Sequence, residues 1–187
     1  MRAFLAIPVT SPALEAGTEL LADLHAAIRA VRWVRPEGLH LTLHFWPALD
    51  DCDVLRVVEA AREPVLRRAR YAMTLGGLGA FPHDGDERVL WLGMGSGEAQ
   101  TVALQGDVET ALDRAGFPRE PRAYHPHVTL GRPRARLDSA ARARWRGFAD
   151  LALPPCTVEE VRLYRSHPGA GGSRYEVLER LQLAAPA

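Results

Sequence analysis

Two hydrophobic periods alternate along this chain, and their order repeats. The opening Arg2-Ala3-Phe4-Leu5-Ala6-Ile7-Pro8 is a short apolar run closed by proline and reads as a first strand. Ser11-Pro12 has the form of an N-cap followed by proline at the first helical position. Leu21, Leu24, Ile28 and Val31 then recur at helical spacing. A strand is predicted from about Leu39 to Phe45, and a helix from Asp53 to Ala69 that breaks or kinks at Pro64. Tyr71 to Leu75 reads as a strand, Gly76-Gly77-Leu78-Gly79 as a flexible turn, and Val89 to Leu92 as a further strand. Leu104, Val108 and Leu112 mark a helix from Glu98 to Ala115, stopped by Gly116. A strand from His125 to Gly131 follows, then a helix capped by Asp138 and running to Phe148. Val158 to Tyr164 and Tyr175 to Leu183 close the chain as strands around a turn at Gly169 to Gly172. Each half therefore reads helix, strand, helix, strand, the pattern of an internal duplication.

The equivalent strands carry matching strings. His40-Leu41-Thr42-Leu43 and His127-Val128-Thr129-Leu130 both read His, apolar, Thr, Leu. Alternation along a strand sends His40, Thr42 and His44 to one face and Leu41, Leu43 and Phe45 to the core. It likewise sets His127 and Thr129 opposite Val128 and Leu130, and Arg132 breaks the pattern, so this strand ends or bends there. One such string is a weak signal. Two facing strands would offer an acid, a base and two hydroxyls to one substrate.

Composition narrows the chemistry. The 187 residues make one large domain or two intimately packed lobes. No apolar run reaches the roughly 20 residues of a membrane span, and the N-terminal run is too short for a signal-peptide core. Two widely spaced cysteines, Cys52 and Cys156, imply neither a disulfide framework nor a thiolate metal site, so the cytoplasm is the expected compartment. Net charge is zero, yet all 23 basic residues are Arg. Without Lys there is no Schiff base and no lysyl-adenylate route to ligation. Arginine suits phosphate, because its planar fork grips two oxygens. The Arg-rich stretch from Arg132 to Arg146 reads first as a solvated helix face, with guidance of an RNA backbone as the alternative.

Two imidazoles without thiolates point to metal-free acid–base catalysis, since a pKa near 6.5 lets one ring be neutral while the other is protonated. A phosphodiester needs a base, an acid for the departing oxygen, and donors for the non-bridging oxygens. Two His and two Thr supply that set, and a strained 2′,3′-cyclic phosphate suits cleavage without a metal. Two rival readings are a metal-dependent phosphohydrolase, using His125 and His127 with His40, and a non-enzymatic RNA-end-binding protein. His25 reads as solvated and His125 as a surface or turn residue, His83 lies in an Asp/Gly-rich loop with no assigned role, and His167 reads first as a turn residue, with lining of the cleft mouth as the alternative. Trp46 and Tyr175 are read first as packing residues, with base stacking as the alternative. Arg174 is either a phosphate contact or a free surface charge.

The paired strings resemble those of the 2H phosphoesterase superfamily. Arg2 to Pro8, Gly77-Leu78-Gly79-Ala80-Phe81-Pro82, Val89 to Gly93, Pro126 to Arg132 and Leu163 to His167 extend the likeness over nearly the whole chain. They resemble the bacterial RNA 2′,3′-cyclic phosphodiesterases, also called 2′-5′ RNA ligases. The resemblance implies an α+β fold, a single bilobal domain over residues 1–187 with two antiparallel-sheet lobes around a central cleft. It implies hydrolysis of RNA 2′,3′-cyclic phosphate ends to 2′-phosphates, with ATP-independent 2′-5′ ligation as the reverse. His40 matches the proton donor, His127 the proton acceptor, and Thr42 and Thr129 the phosphate-holding hydroxyls, with Arg132 as a further substrate contact. No cofactor, metal, membrane or obligate protein partner is implied. His44 stands where the family often has Lys, so any phosphate attraction there would follow pH. Tyr124 stands where Phe is common.

Overall fold

A computed structural model describes residues 1–83, 85–169 and 172–185. The elements in chain order are β1 (Ala3–Pro8), α1 (Ala13–Ala27), β2 (Val31–Trp33), β3 (His40–Trp46), α2 (Val54–Leu66), β4 (Tyr71–Met73) and β5 (Leu75–Phe81). They continue with β6 (Val89–Met94), α3 (Glu98–Arg114), β7 (Val128–Pro133), α4 (Ser139–Arg146), β8 (Cys156–Val158), β9 (Glu160–His167) and β10 (Arg174–Gln182). The fold is α+β, with every pairing between these strands antiparallel.

The main sheet runs β10-β9-β1-β3-β7-β6-β5, with β2 also on β7, while β4 and β8 form a separate pair. It divides into two arms, β10-β9-β1-β3 and β2-β7-β6-β5. Between them β3 and β7 share one residue pair, Leu41 with Val128. One face of the sheet joins the main apolar core, which includes Leu5, Ile7, Leu41, Leu92, Val128 and Leu130 together with Leu24, Val57 and Leu104 from the helices. The other face of β1 carries Phe4 and Ala6, which cluster with Tyr164 and Tyr175. β1 is thus covered on both faces, which is why its sequence is a continuous apolar run.

Several local expectations shift for identifiable reasons. Gly76 to Gly79 is not a turn but part of β5. Gly77 sits at φ +71° where the register with β6 slips, so the glycines make a bulge. Gly79 lets the Trp91 indole lie against the strand, since a Cβ there would come within 2.1 Å of it. Val31 belongs to β2, because α1 stops at Ala27. Pro12, not Ser11, is the N-cap of α1, and no side chain caps that end. Pro64 is accommodated in the last turn of α2, which ends at Leu66. The strand expected from Val158 is two strands, β8 and β9. Asp138 caps α4 as expected, its carboxylate accepting from the Ala141 N–H at 2.7 Å. The turn at Gly169 to Gly172 includes Ala170 and Gly171, which lie outside the described residues.

Candidate active site

Leu41 and Val128 are the middle residues of the two H-x-T strings, so the arms meet where the strings do. Both side chains point into the core, at 0% and 1% exposure. Alternation turns the flanking His and Thr to the opposite face, where all four are half-buried. The two strings thus meet at this one pair, and the His40 and His127 rings lie close enough for their charges to interact. Among the described residues, no protein group hydrogen-bonds either hydroxyl.

The two rings are held alike. His40 Nδ1 donates to the Gly38 carbonyl at 2.6 Å, and His127 Nδ1 to the His125 carbonyl at 2.7 Å. A carbonyl can only accept, so Nδ1 carries the hydrogen and Nε2 is left to exchange protons. Aromatic rings brace both. Phe4 stacks on His40 at 4.6 Å between centroids, and Tyr175 meets it edge-on at 5.3 Å. Phe81 meets His127 edge-on at 5.2 Å, and Trp91 lies at 6.0 Å. Burial pushes His40 down to about 4, with the neighbouring His127 adding to the effect and the Gly38 carbonyl opposing it. Burial also lowers His127, aided by the charges of His125 and Arg132 and opposed by the His125 carbonyl.

Beside this cluster opens a cleft of about 710 Å³, whose lining includes Gly38 and Tyr175 next to His40. Arg2, Arg32, Arg35, Arg132 and Arg174 line it, against one acid, Glu37. None of the five makes an ion pair among the described residues. Arg32 and Arg132 stand directly opposite each other on β2 and β7. Like charges so placed repel, and an anion between them would relieve the repulsion.

One expectation fails. His44 does not share a face with His40 and Thr42. The register of β3 on β1 slips between Thr42 and His44, so Leu43 is an extra residue. The bulge reverses the alternation beyond it: His44 is buried at 5% exposure, Trp46 is buried, and Phe45 faces solvent beneath Arg2. His44 is therefore no phosphate contact. β7 slips at the matching place, between Thr129 and Gly131, which is why Arg132 breaks the alternation.

The remaining residues sort plainly. Trp46 packs against His44 and Phe117. His25 is exposed at the end of α1. His83 is exposed at the end of the Phe81–Trp91 aromatic group, and His167 pairs with Glu176 across the β9–β10 hairpin at 2.9 Å. Arg174 lines the cleft. The Arg-rich stretch divides, Arg132 lining the cleft while Arg136 and Arg142 hold the Gly85 carbonyl. The Tyr124 hydroxyl is buried with no partner among the described residues, and burial pushes it well above the usual phenol range. His125 and His127, the pair weighed for a metal, have ring centroids 6.3 Å apart. Among the described residues no three His, Cys, Asp or Glu side chains converge as a metal site. Tyr175 packs as the sequence reading expects, against Phe4 and His40, whereas the braces Phe4, Phe81 and Trp91 carry no signal that this reading used.

A single bridge between two like arms, with one H-x-T string on each, defines a two-histidine phosphoesterase architecture. The sequence profile of the 2′-5′ RNA ligase superfamily matches residues 19–170, and the chain belongs to that superfamily. It is 30% identical to an RNA 2′,3′-cyclic phosphodiesterase of Aeropyrum pernix over 83% of this chain and 88% of that one. It is 28% identical to that of Methanothermobacter thermautotrophicus over 98% and 99%. Among solved structures, Escherichia coli LigT with 3′-AMP superposes with a TM-score of 0.77 at 26% identity, over 97% of both chains.

Proposed function

We propose that this chain opens 2′,3′-cyclic phosphate ends of RNA to 2′-phosphates, without a metal or cofactor, as one bilobal domain. The observation that carries this is the matched pair of imidazoles, each with Nδ1 committed to a carbonyl and Nε2 without a hydrogen-bond partner among the described residues. His127 Nε2 takes a proton from water as its oxygen bonds to phosphorus. The P–O3′ bond breaks, and His40 Nε2 delivers its proton to O3′. Thr42 and Thr129 donate to the non-bridging oxygens, where charge builds, and Arg132 draws the anion into place. With an RNA 5′-hydroxyl as nucleophile, the reverse reaction forms a 2′-5′ bond without ATP. The unpaired arginines of the cleft suit the backbone of a single strand ending at the site. The relatives named for the same reaction support this reading. Among the described residues no helix is long and apolar enough to cross a membrane, and two free cysteines agree with a reducing cytoplasm.

The test is an oligonucleotide with a 2′,3′-cyclic phosphate end, incubated with trace enzyme and excess chelator. The expected product is the 2′-phosphate alone. Dependence on added metal would favour the metal-dependent reading, and binding without turnover the RNA-end binder.

The lowered histidine pKa values set the pH dependence. The active free enzyme carries one proton on the pair, and both groups titrate below 6.5. Raising pH past 6.5 therefore drains the protonated form, and kcat/KM should fall by up to about tenfold per pH unit. A bound phosphate anion stabilises the imidazolium, so the bell for kcat should lie at higher pH than the bell for kcat/KM. Coincident profiles would remove the anion-coupled pair.

A further inference from the structure

The bulge that turns His44 inward is gripped from below by α3. Gln105 Nε2 donates to the Leu43 carbonyl at 3.4 Å, and His44 Nδ1 donates to Glu109 Oε1 at 2.5 Å. Gln105 and Glu109 lie one helical turn apart, so a single stripe of α3 meets both bulge residues. Both are buried, at 8% and 6% exposure. The second Glu109 oxygen accepts from the Glu120 N–H at 3.4 Å, which ties the chain beyond α3 to the same carboxylate.

The other arm manages the matching bulge differently. At Leu130-Gly131 the strand is fitted by shape, because a Cβ on Gly131 would stand 2.6 Å from Val31 and 2.7 Å from Trp33. A buried acid–imidazole pair adds little net stability over apolar packing of the same volume. What it adds is direction, because its bonds form at only one register.

We propose that Gln105 and Glu109 are positioning residues for the proton-donor strand. By holding Leu43 and His44 in the bulge, they keep Thr42 and His40 turned to the cleft. Thr42 is the residue next to the bulge on the face opposite the core, so it is the first to shift when the grip is lost. The inference rests on the roles given above to His40 and Thr42.

The test uses the double variant His44→Leu/Glu109→Leu, which removes both members of the pair together and gives up only the long contact from the exposed Glu120 N–H. Glu109→Gln keeps an acceptor oxygen for His44. Each is combined with Thr42→Val and, separately, Thr129→Val, and kcat and KM are read where circular dichroism shows every variant folded. The double variant should lose at least about tenfold in kcat with KM within about threefold, the split expected when a group is misplaced in the transition state. Glu109→Gln should retain most of kcat. Thr42→Val should cost several-fold less in the double variant than in the wild type, whereas Thr129→Val should cost the same in both. Wild-type kcat in the folded double variant, or equal coupling to both threonines, would overturn the proposal. Should the double variant not fold, Gln105→Leu takes its place in the same cycles, with the same expected result and the same overturning one. Failure of the functional reading is distinct, because the wild-type protein would then leave the cyclic end intact.

Discussion

His40→Ala and His127→Ala should each lose at least about 10²-fold in turnover, the scale set by a positioned acid or base, while both variants stay folded. Both rings lie half-buried on the face opposite the main core, so truncation removes contacts with the bracing aromatic rings and leaves the main core intact. The two losses should respond differently to the leaving group. Replacing O3′ by a nitrophenolate removes the need for a proton at departure, so the His40→Ala deficit should shrink sharply. The His127→Ala deficit should persist, because water still needs its base. Single-turnover rates on the two substrates measure this. Near-wild-type turnover from either variant would remove the acid–base pair, and equal rescue of both would remove the assignment of roles.

The threonines should separate from the histidines by the nature of their loss. Thr42→Val and Thr129→Val keep the side-chain shape and lose the donor, so each should cost about 10²–10³-fold in kcat, as loss of one oxyanion donor does. Thr→Ser at either position should keep most of the activity. The limbs of the pH–rate profile should stay in place in the Val variants, because acid and base remain. Val performing as well as Ser at both positions would make the hydroxyls structural.

How far the site could be read from sequence depends on how regular each strand is. Up to Thr42 and Thr129 both strands alternate strictly, and the faces assigned to His40, Leu41, Thr42, His127, Val128 and Thr129 are those observed. Two residues beyond Thr42 the reading fails, at His44 and then Phe45. No pattern within His40–Trp46 marks the extra residue. It shows only in the pairing of β3 with β1, where the register slips, and in the contacts that Gln105 and Glu109 of α3 make beneath it. The glycines of β5 misled for a related reason. Gly77 and Gly79 have the composition of a turn, but they serve a bulge and the face of Trp91.

By itself the sequence determined the helices and most of the strands, though neither β2 nor β5, together with the repeated H-x-T string and the residue types able to exchange protons and hold phosphate. These follow from period, capping and side-chain chemistry, which act over a few neighbouring residues. The tertiary structure decided that Leu41 meets Val128, which brings the two strings together. It decided that Gly38 and His125 offer the carbonyls that orient the rings. It also gathered Arg2, Arg32, Arg35, Arg132 and Arg174, which lie far apart along the chain, around one cleft. Such convergence depends on the packing of the whole core, because a side chain's partners across a sheet are chosen by register and twist and not by its neighbours in sequence.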